Sequence, residues 1–376
     1  VQQERLGQDG CGAIHIDRDV GGPVSDHAVV ALHGTDIGVV REWRPETLGQ
    51  GGVLVFIFHQ HLLRVFQAVH FLPGKINRNP VIPRPRPAGI GPRLRHDHPF
   101  RNRGGAAAVD RLVDFHLENG SDGLVVAGTT GEASTLSRAE FCSLLEQVVK
   151  RVAGRIPVIA GTGSASTAAT VAQTKTAAEI GADAALVVTP YYNRPPQRGL
   201  AEHFMAVAEG AGLPVLMYNV PARTGVDLLP GTVEQLHEHP LIAGIKEAVA
   251  DAGRMEELLR FSGPGFCVLS GDDASCLASI KQGAAGVVSV AANVVPAHMH
   301  RLCAAAAAGE YAEAGELNSK LMPLFDVLMI ESNPIPVKWF LFSMGLAGPD
   351  LRLPLSRLCE AGQDRVRQVL ENLDLA

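Results

Sequence analysis

Short apolar runs alternate with longer amphipathic stretches from Val109 onward, and this alternation constrains the fold more than any other feature. It is typical of βα units around a parallel sheet. A strand recurs every 20 to 30 residues or so, which favours a closed (β/α)8 TIM barrel over an open doubly wound sheet, although spacing alone does not exclude the latter. Seven strands are predicted: Leu124–Ala127, Val158–Ala160, Ala184–Val188, Val215–Tyr218, Ile242–Lys246, Val268–Ser270 and Gly286–Val290.

The stretches between these strands predict helices. The first begins with a capping box, because Ser137 is followed three residues later by Glu140. We expect the barrel to span residues 104–293, and residues 294–376 to hold its last helix and a helical C-terminal subdomain. The predicted helices include Ser137–Val152, Thr167–Ile180, Gly199–Ala211, Asp272–Gln282, Tyr311–Leu328, Ile335–Gly345 and Leu355–Leu373.

Residues 1–103 have a different composition and are predicted to be an irregular extension. Of the lysines only Lys75 lies there, whereas prolines and arginines crowd residues 73–103 and favour extended chain. The apolar runs Val53–Phe58 and Leu62–Phe71 share no sustained period. Three explanations stay open: an accessory domain, a disordered extension, and translation from a wrong start or frame. We favour the last, because the excess of Arg, Pro, Gly and His is typical of GC-rich DNA translated out of register.

Bulk properties limit the class of protein. A net charge of -6 with 19% charged residues gives no electrostatic reason to expect nucleic acid or a membrane as a partner. The six cysteines form no C-x-x-C pair, so they signal neither a zinc site nor a disulfide framework and favour the cytoplasm. The early apolar run Val53–Phe58 is far shorter than the roughly 20 residues of a membrane span. We expect no targeting segment.

Lys246 is the first candidate for chemistry. It ends an apolar run whose alternation predicts Ile242, Gly244 and Lys246 on one face of a strand, with the lysine pointing into the barrel. Burial lowers the pKa of an ammonium group, and a neutral amine can attack a ketone carbonyl. The alternative is a lysine paired with Glu247 at the end of the strand.

Other polar residues also follow predicted strands, where barrel enzymes place their sites. The Gly-Thr-Thr-Gly-Glu turn offers Thr129 and Thr130 to a carboxylate; Tyr192 follows a further strand, and Tyr218 ends the next one. Arg223 lies five residues beyond Tyr218, where a guanidinium could bind a second carboxylate. Taken singly, each has a structural alternative: a simple turn, a core aromatic or a solvated arginine.

Together these motifs resemble the dihydrodipicolinate synthase family over about residues 105 to 376. The resemblance is specific because seven motifs occur in order and at compatible spacing. They are G-T-T-G-E at 128–132, G-T-G at 161–163, P-Y-Y-N at 190–193, Y-N-V-P-A-R-T-G at 218–225, G-I-K-E-A at 244–248, S-G-D-D-A at 270–274 and N-P-I-P-V-K at 333–338.

The resemblance implies a lyase of the class I aldolase type that needs no cofactor and no metal. Lys246 would form a Schiff base with pyruvate, and the enamine would attack L-aspartate-4-semialdehyde to give 4-hydroxy-tetrahydrodipicolinate, in the diaminopimelate route to lysine. Tyr218 would donate and accept protons, and Thr130 and Tyr192 would complete the relay. Tyr192 would reach into a neighbouring subunit of a homo-oligomer, which we expect to be a dimer of dimers.

The resemblance also implies the residues that bind the substrates. Thr129 and Thr130 would hold the pyruvate carboxylate, and Arg223 would bind the carboxylate of the semialdehyde. Gly271 and Val288 would line the pocket. The alternatives are another pyruvate-dependent aldolase or lyase, of the sugar-acid or N-acetylneuraminate type, and an inactive homologue. A metal-dependent aldolase is disfavoured, because no cluster of His and carboxylate residues follows the predicted strands.

Two departures from the family pattern matter. Charged residues occupy Arg93–His98 where the family has its first strand, so that strand is expected to be atypical or missing, although His98-Pro99-Phe100 resembles a remnant of the turn that follows it. Either the barrel closes poorly, or another apolar run substitutes, or the sequence is corrupted there.

The second departure concerns the positions that bind inhibitory lysine in relatives: Tyr191 remains, but the others are Arg138, Phe141, Ala165 and Ala169. Weak or no inhibition by lysine is therefore expected.

Overall fold

The computed structural model describes residues 67–71 and 103–373. Within these residues, eight strands form a closed barrel in which every strand lies beside its neighbours in sequence. The strands are β1 (Gln67–Phe71), β2 (Gly123–Val126), β3 (Val158–Gly161), β4 (Ala184–Val188), β5 (Val215–Asn219), β6 (Ile242–Glu247), β7 (Cys267–Ser270) and β8 (Gly286–Ser289).

The seven predicted strands are β2 to β8, and each predicted end lies within one residue of the observed one. Neighbours from β2 to β8 pair in parallel. These strands are buried on both faces, which explains why they are short continuous apolar runs in the sequence. The predicted barrel fold is confirmed, and the C-terminal ends of β2 to β8 lie at one rim, where the site is expected.

Strand β1 closes the barrel in an unexpected way. It pairs antiparallel with both neighbours, so that Ala68 is opposite Leu124 of β2 and Val69 is opposite Val288 of β8. This strand belongs to the apolar run Leu62–Phe71, so another run does take the place of the family's first strand. The charged segment Arg93–Phe100 lies outside the described residues, and the predicted boundaries at residues 104 and 294 stay predictions.

Helices follow most strands, as predicted. In the second helix the capping box is confirmed: the Ser137 hydroxyl accepts the Glu140 N–H, and the Ser137 N–H donates to the Glu140 carboxylate. The predicted helix Asp272–Gln282 starts later, because Asp272 accepts hydrogen bonds from Ser275 and forms a turn. The helices are α1 (Arg103–Glu118), α2 (Arg138–Val152), α3 (Thr167–Ile180), α4 (Gln197–Ala211), α5 (Pro221–Thr224), α6 (Pro230–Glu234), α7 (Ala252–Leu259), α8 (Cys276–Gln282), α9 (Pro296–Ala308), α10 (Tyr311–Leu328), α11 (Ile335–Ser343) and α12 (Glu360–Asn372).

The core has two layers that follow strand alternation. Val125 of β2 belongs to the small cluster inside the barrel, whereas its neighbours Leu124 and Val126 pack in the large cluster between sheet and helices. Strand β6 breaks this rule. A bulge between its pairings with Val215 and Leu216 shifts the alternation, so Ile242 lies in the outer layer. The prediction that Ile242 shares a face with Lys246 is therefore wrong.

Candidate active site

Lys246 lies near the C-terminal end of β6, and its side chain is completely buried at 0% exposure. Its Nζ atom lies 4.3 Å from the centroid of the Tyr218 ring, on the neighbouring strand β5. Burial lowers the pKa of Lys246 to about 7; the charge of Arg223 acts in the same direction and that of Asp273 opposes it. A large fraction of this amine is therefore neutral near pH 7, as a carbonyl-attacking nucleophile requires.

Tyr218 faces the interior of the barrel from β5. Burial raises the pKa of its phenol, whereas a hydrogen bond with the Thr129 side chain and the charge of Arg223 lower it. The partner of Tyr218 is thus Thr129. Thr130, which was predicted for the proton relay, instead accepts a 2.9 Å hydrogen bond from the Asn333 amide. Because the two threonines are adjacent in one turn, the motif alone does not show which of them bonds to Tyr218.

Arg223 lies at the rim of the barrel, on the short helix α5 that follows β5. Its guanidinium donates to the main-chain oxygen of Asn333 at 3.3 Å, while the Asn333 side chain bonds Thr130. Asn333 therefore joins the residues predicted to hold the two substrate carboxylates. Sequence reasoning missed it as a site residue, although its N-P-I-P-V-K motif was a signal.

Gly271 directly follows β7, and Val288 lies on β8. A Cβ atom on Gly271 would lie 2.9 Å from Cε of Lys246 and 2.9 Å from Cβ of Ala248, so only glycine leaves room for the lysine side chain. Val288 is fully buried in the inner cluster with Tyr218. Gly271 therefore lies beside Lys246 and Val288 belongs to the cluster of Tyr218, while their contact with substrate stays a prediction.

Comparison with known proteins identifies this arrangement. The sequence model of the dihydrodipicolinate synthetase family matches residues 98–373. The chain belongs to this family. The 4-hydroxy-tetrahydrodipicolinate synthase of Pseudomonas aeruginosa is 50% identical over 263 residues, which cover 70% of this chain and 90% of that protein. That of Halorhodospira halophila is 48% identical over 268 residues, covering 71% and 89%.

A solved structure agrees with the family assignment. The chloride-inhibited dihydrodipicolinate synthase of Acinetobacter baumannii, complexed with pyruvate, superposes with a TM-score of 0.70 at 44% identity. The match covers 71% of this chain and 92% of that one. This dihydrodipicolinate synthetase family member is therefore a lyase of the class I aldolase type, as its buried lysine predicts.

Tyr192 takes no part in the site just described. Its side chain is 91% exposed, and its backbone has a left-handed φ of 73°. Such a backbone is costly for a tyrosine and is found mostly where function requires it. The neighbouring Tyr191 is also exposed, at 37%.

Two features of the described residues bear on other classes of function. Over residues 67–71 and 103–373, no helix combines the length and the apolar character needed to cross a membrane. In the same part of the chain, no group of three or more His, Cys, Asp or Glu side chains is arranged to hold a metal ion.

Proposed function

We propose that this chain condenses pyruvate with L-aspartate-4-semialdehyde to give 4-hydroxy-tetrahydrodipicolinate. The observation that carries the proposal is the buried contact between Lys246 and Tyr218, 4.3 Å from nitrogen to ring centroid. Relatives about half identical to this chain are named for the synthase that makes that product. The solved relative from Acinetobacter baumannii is complexed with pyruvate, the first of the two substrates.

The first step uses the neutral amine of Lys246. Its lone pair attacks the ketone carbon of pyruvate, and a C–N bond forms while the carbonyl oxygen takes up a proton. Tyr218 donates one proton to this oxygen, regains one from the attacking nitrogen and donates that as well, so the oxygen leaves as water and the imine remains on Lys246. The hydrogen bond with Thr129 orients the phenol. The two threonines and the backbone N–H groups of their turn hold the pyruvate carboxylate.

The second step makes the carbon–carbon bond. Loss of a methyl proton converts the imine to an enamine, whose carbon attacks the aldehyde, and Tyr218 delivers a proton to the new alkoxide. The amino group of the second substrate then attacks the imine carbon, closes the ring and releases Lys246 as a free amine. The sequence joins the two substrates and releases one water with no net oxidation or reduction, so no redox cofactor is needed.

Arg223 selects the second substrate in this proposal. Aspartate semialdehyde carries a carboxylate that neutral sugar aldehydes lack, and the guanidinium lies exposed at the rim, positioned by Asn333. A coupled assay with pyruvate and either aspartate semialdehyde or N-acetylmannosamine tests this choice. We expect turnover with the semialdehyde alone. Arg223→Met should raise the KM for the semialdehyde far more than that for pyruvate, and turnover of the sugar would reject the assignment.

We also propose a homo-oligomer, a dimer of dimers, in which Tyr192 completes the relay of a neighbouring subunit. The 91% exposure of its side chain supports this role, because the phenol points away from the site of its own subunit. Mixing the inactive variants Lys246→Ala and Tyr192→Phe tests it, since mixed dimers regain one site with both native residues. Absence of any regained activity, in dimers shown by mass to be mixed, would reject the shared site.

A cytoplasmic location is the last part of the proposal. Five cysteines lie in the described residues, and all five are free thiols. Reduced thiols are typical of a reducing compartment.

A further inference from the structure

Four polar side chains lie behind the site, on the outer side of the barrel wall. They form what we call the carboxylate network: Asn219, Asp227, Glu247 and Arg254. Asn219 directly follows Tyr218 on β5, and Glu247 directly follows Lys246 on β6. In the parallel pairing of these strands, Tyr218 is opposite Lys246 and Asn219 is opposite Glu247. The catalytic pair and the network therefore share one pair of strand ends.

Asn219 is fully used in this network. Its amide nitrogen donates to Asp227 at 2.8 Å and to Glu247 at 3.0 Å, and its oxygen accepts the Leu228 N–H at 2.9 Å. The side chain is completely buried. A buried amide with all its hydrogen bonds made has one orientation, so it holds the ends of β5 and β6 together.

Within the described residues, every group that is hydrogen-bonded to the Glu247 carboxylate is a donor. Besides Asn219, these are the Val249 N–H at 2.8 Å and the Arg254 guanidinium at 3.5 Å. A protonated carboxyl would need an acceptor, and this set of contacts offers none, so the contacts fit the ionised form. Burial raises the pKa of Glu247, and Asp227 adds to this, while Asn219, Val249 and Arg254 oppose it.

The network carries excess negative charge, because one guanidinium faces two carboxylates. This charge acts on Tyr218. The groups that face the phenol are Thr129 from the turn after β2, Arg223 from α5 and Lys246 from β6, whereas Glu247 acts on it from the other side of the barrel wall. Glu247 raises the pKa of the phenol, whereas Arg223 and Thr129 lower it.

We propose that Glu247 is a positioning residue: through Asn219 it fixes Lys246 against Tyr218, and its carboxylate places a negative charge behind the phenol. The inference rests on the proposed function only for the role of Tyr218 as a proton donor. It assigns to Glu247 a purpose other than pairing with Lys246, since its partners lie on the opposite side of the strand.

Titration of the tyrosines tests the charge without any substrate. The chain has four tyrosines, so subtracting the ultraviolet titration curve of Tyr218→Phe isolates Tyr218. Glu247→Gln should lower the Tyr218 midpoint by about half a pH unit or more, because a nearby negative charge is lost. The matched control is Asp227→Asn, which removes an equal charge from the carboxylate network. Asp227 is not among the charges that act on Tyr218, so the Tyr218 midpoint should stay unchanged.

A second variant separates position from charge. Glu247→Asp keeps the carboxylate but shortens its reach to Asn219, so we expect an unchanged midpoint and at least a severalfold slower trapping of the pyruvate imine by borohydride. An unshifted midpoint in Glu247→Gln, an equal shift in Asp227→Asn, or normal trapping in Glu247→Asp would each overturn the inference. A different outcome would reject the proposed function instead: the titration midpoints of Tyr218 are as predicted, but the wild-type protein does not condense the two substrates.

Discussion

The Nζ atom of Lys246 lies 4.3 Å from the centroid of the Tyr218 ring, and both side chains are buried in the barrel. Burial moves the two pKa values in opposite directions: it lowers that of the ammonium group and raises that of the phenol. At neutral pH the pair therefore offers a neutral amine beside a protonated acid. Imine formation needs this combination, because the amine attacks carbon while the acid protonates oxygen.

Imine trapping should follow the titration of Lys246. The pKa of this lysine is lowered to about 7, so the reactive neutral form increases as the pH rises through 7 and then reaches a plateau. We expect the yield of borohydride-trapped pyruvate, measured by peptide mass spectrometry, to have its midpoint near that pH. Lys338 is equally buried and serves as the internal control that stays unlabelled. A midpoint near the ordinary lysine value of about 10 would contradict the assignment.

Gly271→Ala should remove most activity without unfolding the protein. The added methyl group would lie 2.9 Å from Cε of Lys246, which can move, and 2.9 Å from Cβ of Ala248, so the chain at Ala248 must also shift. A displacement of about 1 Å costs on the order of 100-fold in rate, so we expect a loss of that size in kcat. Gly315→Ala is the control: it lies in α10 with nothing near its Cβ position, and it should keep full activity and a higher melting temperature. Equal kcat values for the two variants would show that Gly271 does not constrain the lysine.

Much of the fold could be predicted because its signals are local. Strands β2 to β8 are buried on both faces and so appear as continuous apolar runs, and the α2 capping box depends on two residues three positions apart. Lys246 was predictable for a similar reason, since a charge at the end of a buried run is rare. Strand β1 was not, because its pairing with β2 and β8 depends on partners more than 50 residues away.

Long-range contacts also explain what the sequence left unassigned in the site. Thr129 and Thr130 are adjacent in the sequence. Only the folded structure shows that Thr129 is hydrogen-bonded to Tyr218 and Thr130 to Asn333. The bulge in β6 moved Ile242 to the outer layer, which strict alternation could not foresee.

Lysine should inhibit this protein weakly or not at all. The family resemblance implies that lysine-inhibited members carry histidines and acidic or amide groups at the positions of Arg138, Phe141, Ala165 and Ala169. Phe141 is buried in the core, and the Arg138 guanidinium donates to Thr176 at 3.0 Å, so neither offers an acceptor to an ammonium group. Initial rates measured with rising lysine at constant ionic strength should stay flat. Half-maximal inhibition below about millimolar lysine would contradict this expectation.

Breaking the buried ion pair between Glu132 and Lys338 should destabilise the protein strongly. The pair joins the Thr129–Glu132 turn to α11, and both side chains are almost completely buried. Lys338→Met leaves an unpaired buried carboxylate, which should lower the free energy of unfolding by about 3–5 kcal/mol. The double variant Glu132→Gln/Lys338→Met should recover part of this loss. Urea denaturation of both single variants and the double variant measures it, and simple additivity would show that the two groups do not interact.

His203 should make the protein sensitive to acid. Its ring is buried on α4, with Nδ1 2.9 Å from the Thr167 hydroxyl of α3, and burial lowers its pKa to about 4. In the unfolded chain this histidine has its ordinary pKa of about 6.5. Between about pH 6.5 and pH 4 the unfolded state therefore binds a proton that the folded state does not bind. This group therefore makes stability fall as the pH drops through that window, by roughly 3 kcal/mol at most, and has no effect above it.

Urea midpoints at about pH 7.5 and pH 4.5 measure this loss of stability. His203→Gln keeps a polar side chain that can bond Thr167 but cannot titrate, so its midpoint should change less between the two pH values than that of the wild type. His237→Gln, a change at a partly exposed histidine that contacts Phe261, controls for the loss of a histidine elsewhere. If His203→Gln loses as much stability in acid as the wild type does, another buried group must govern the acid transition.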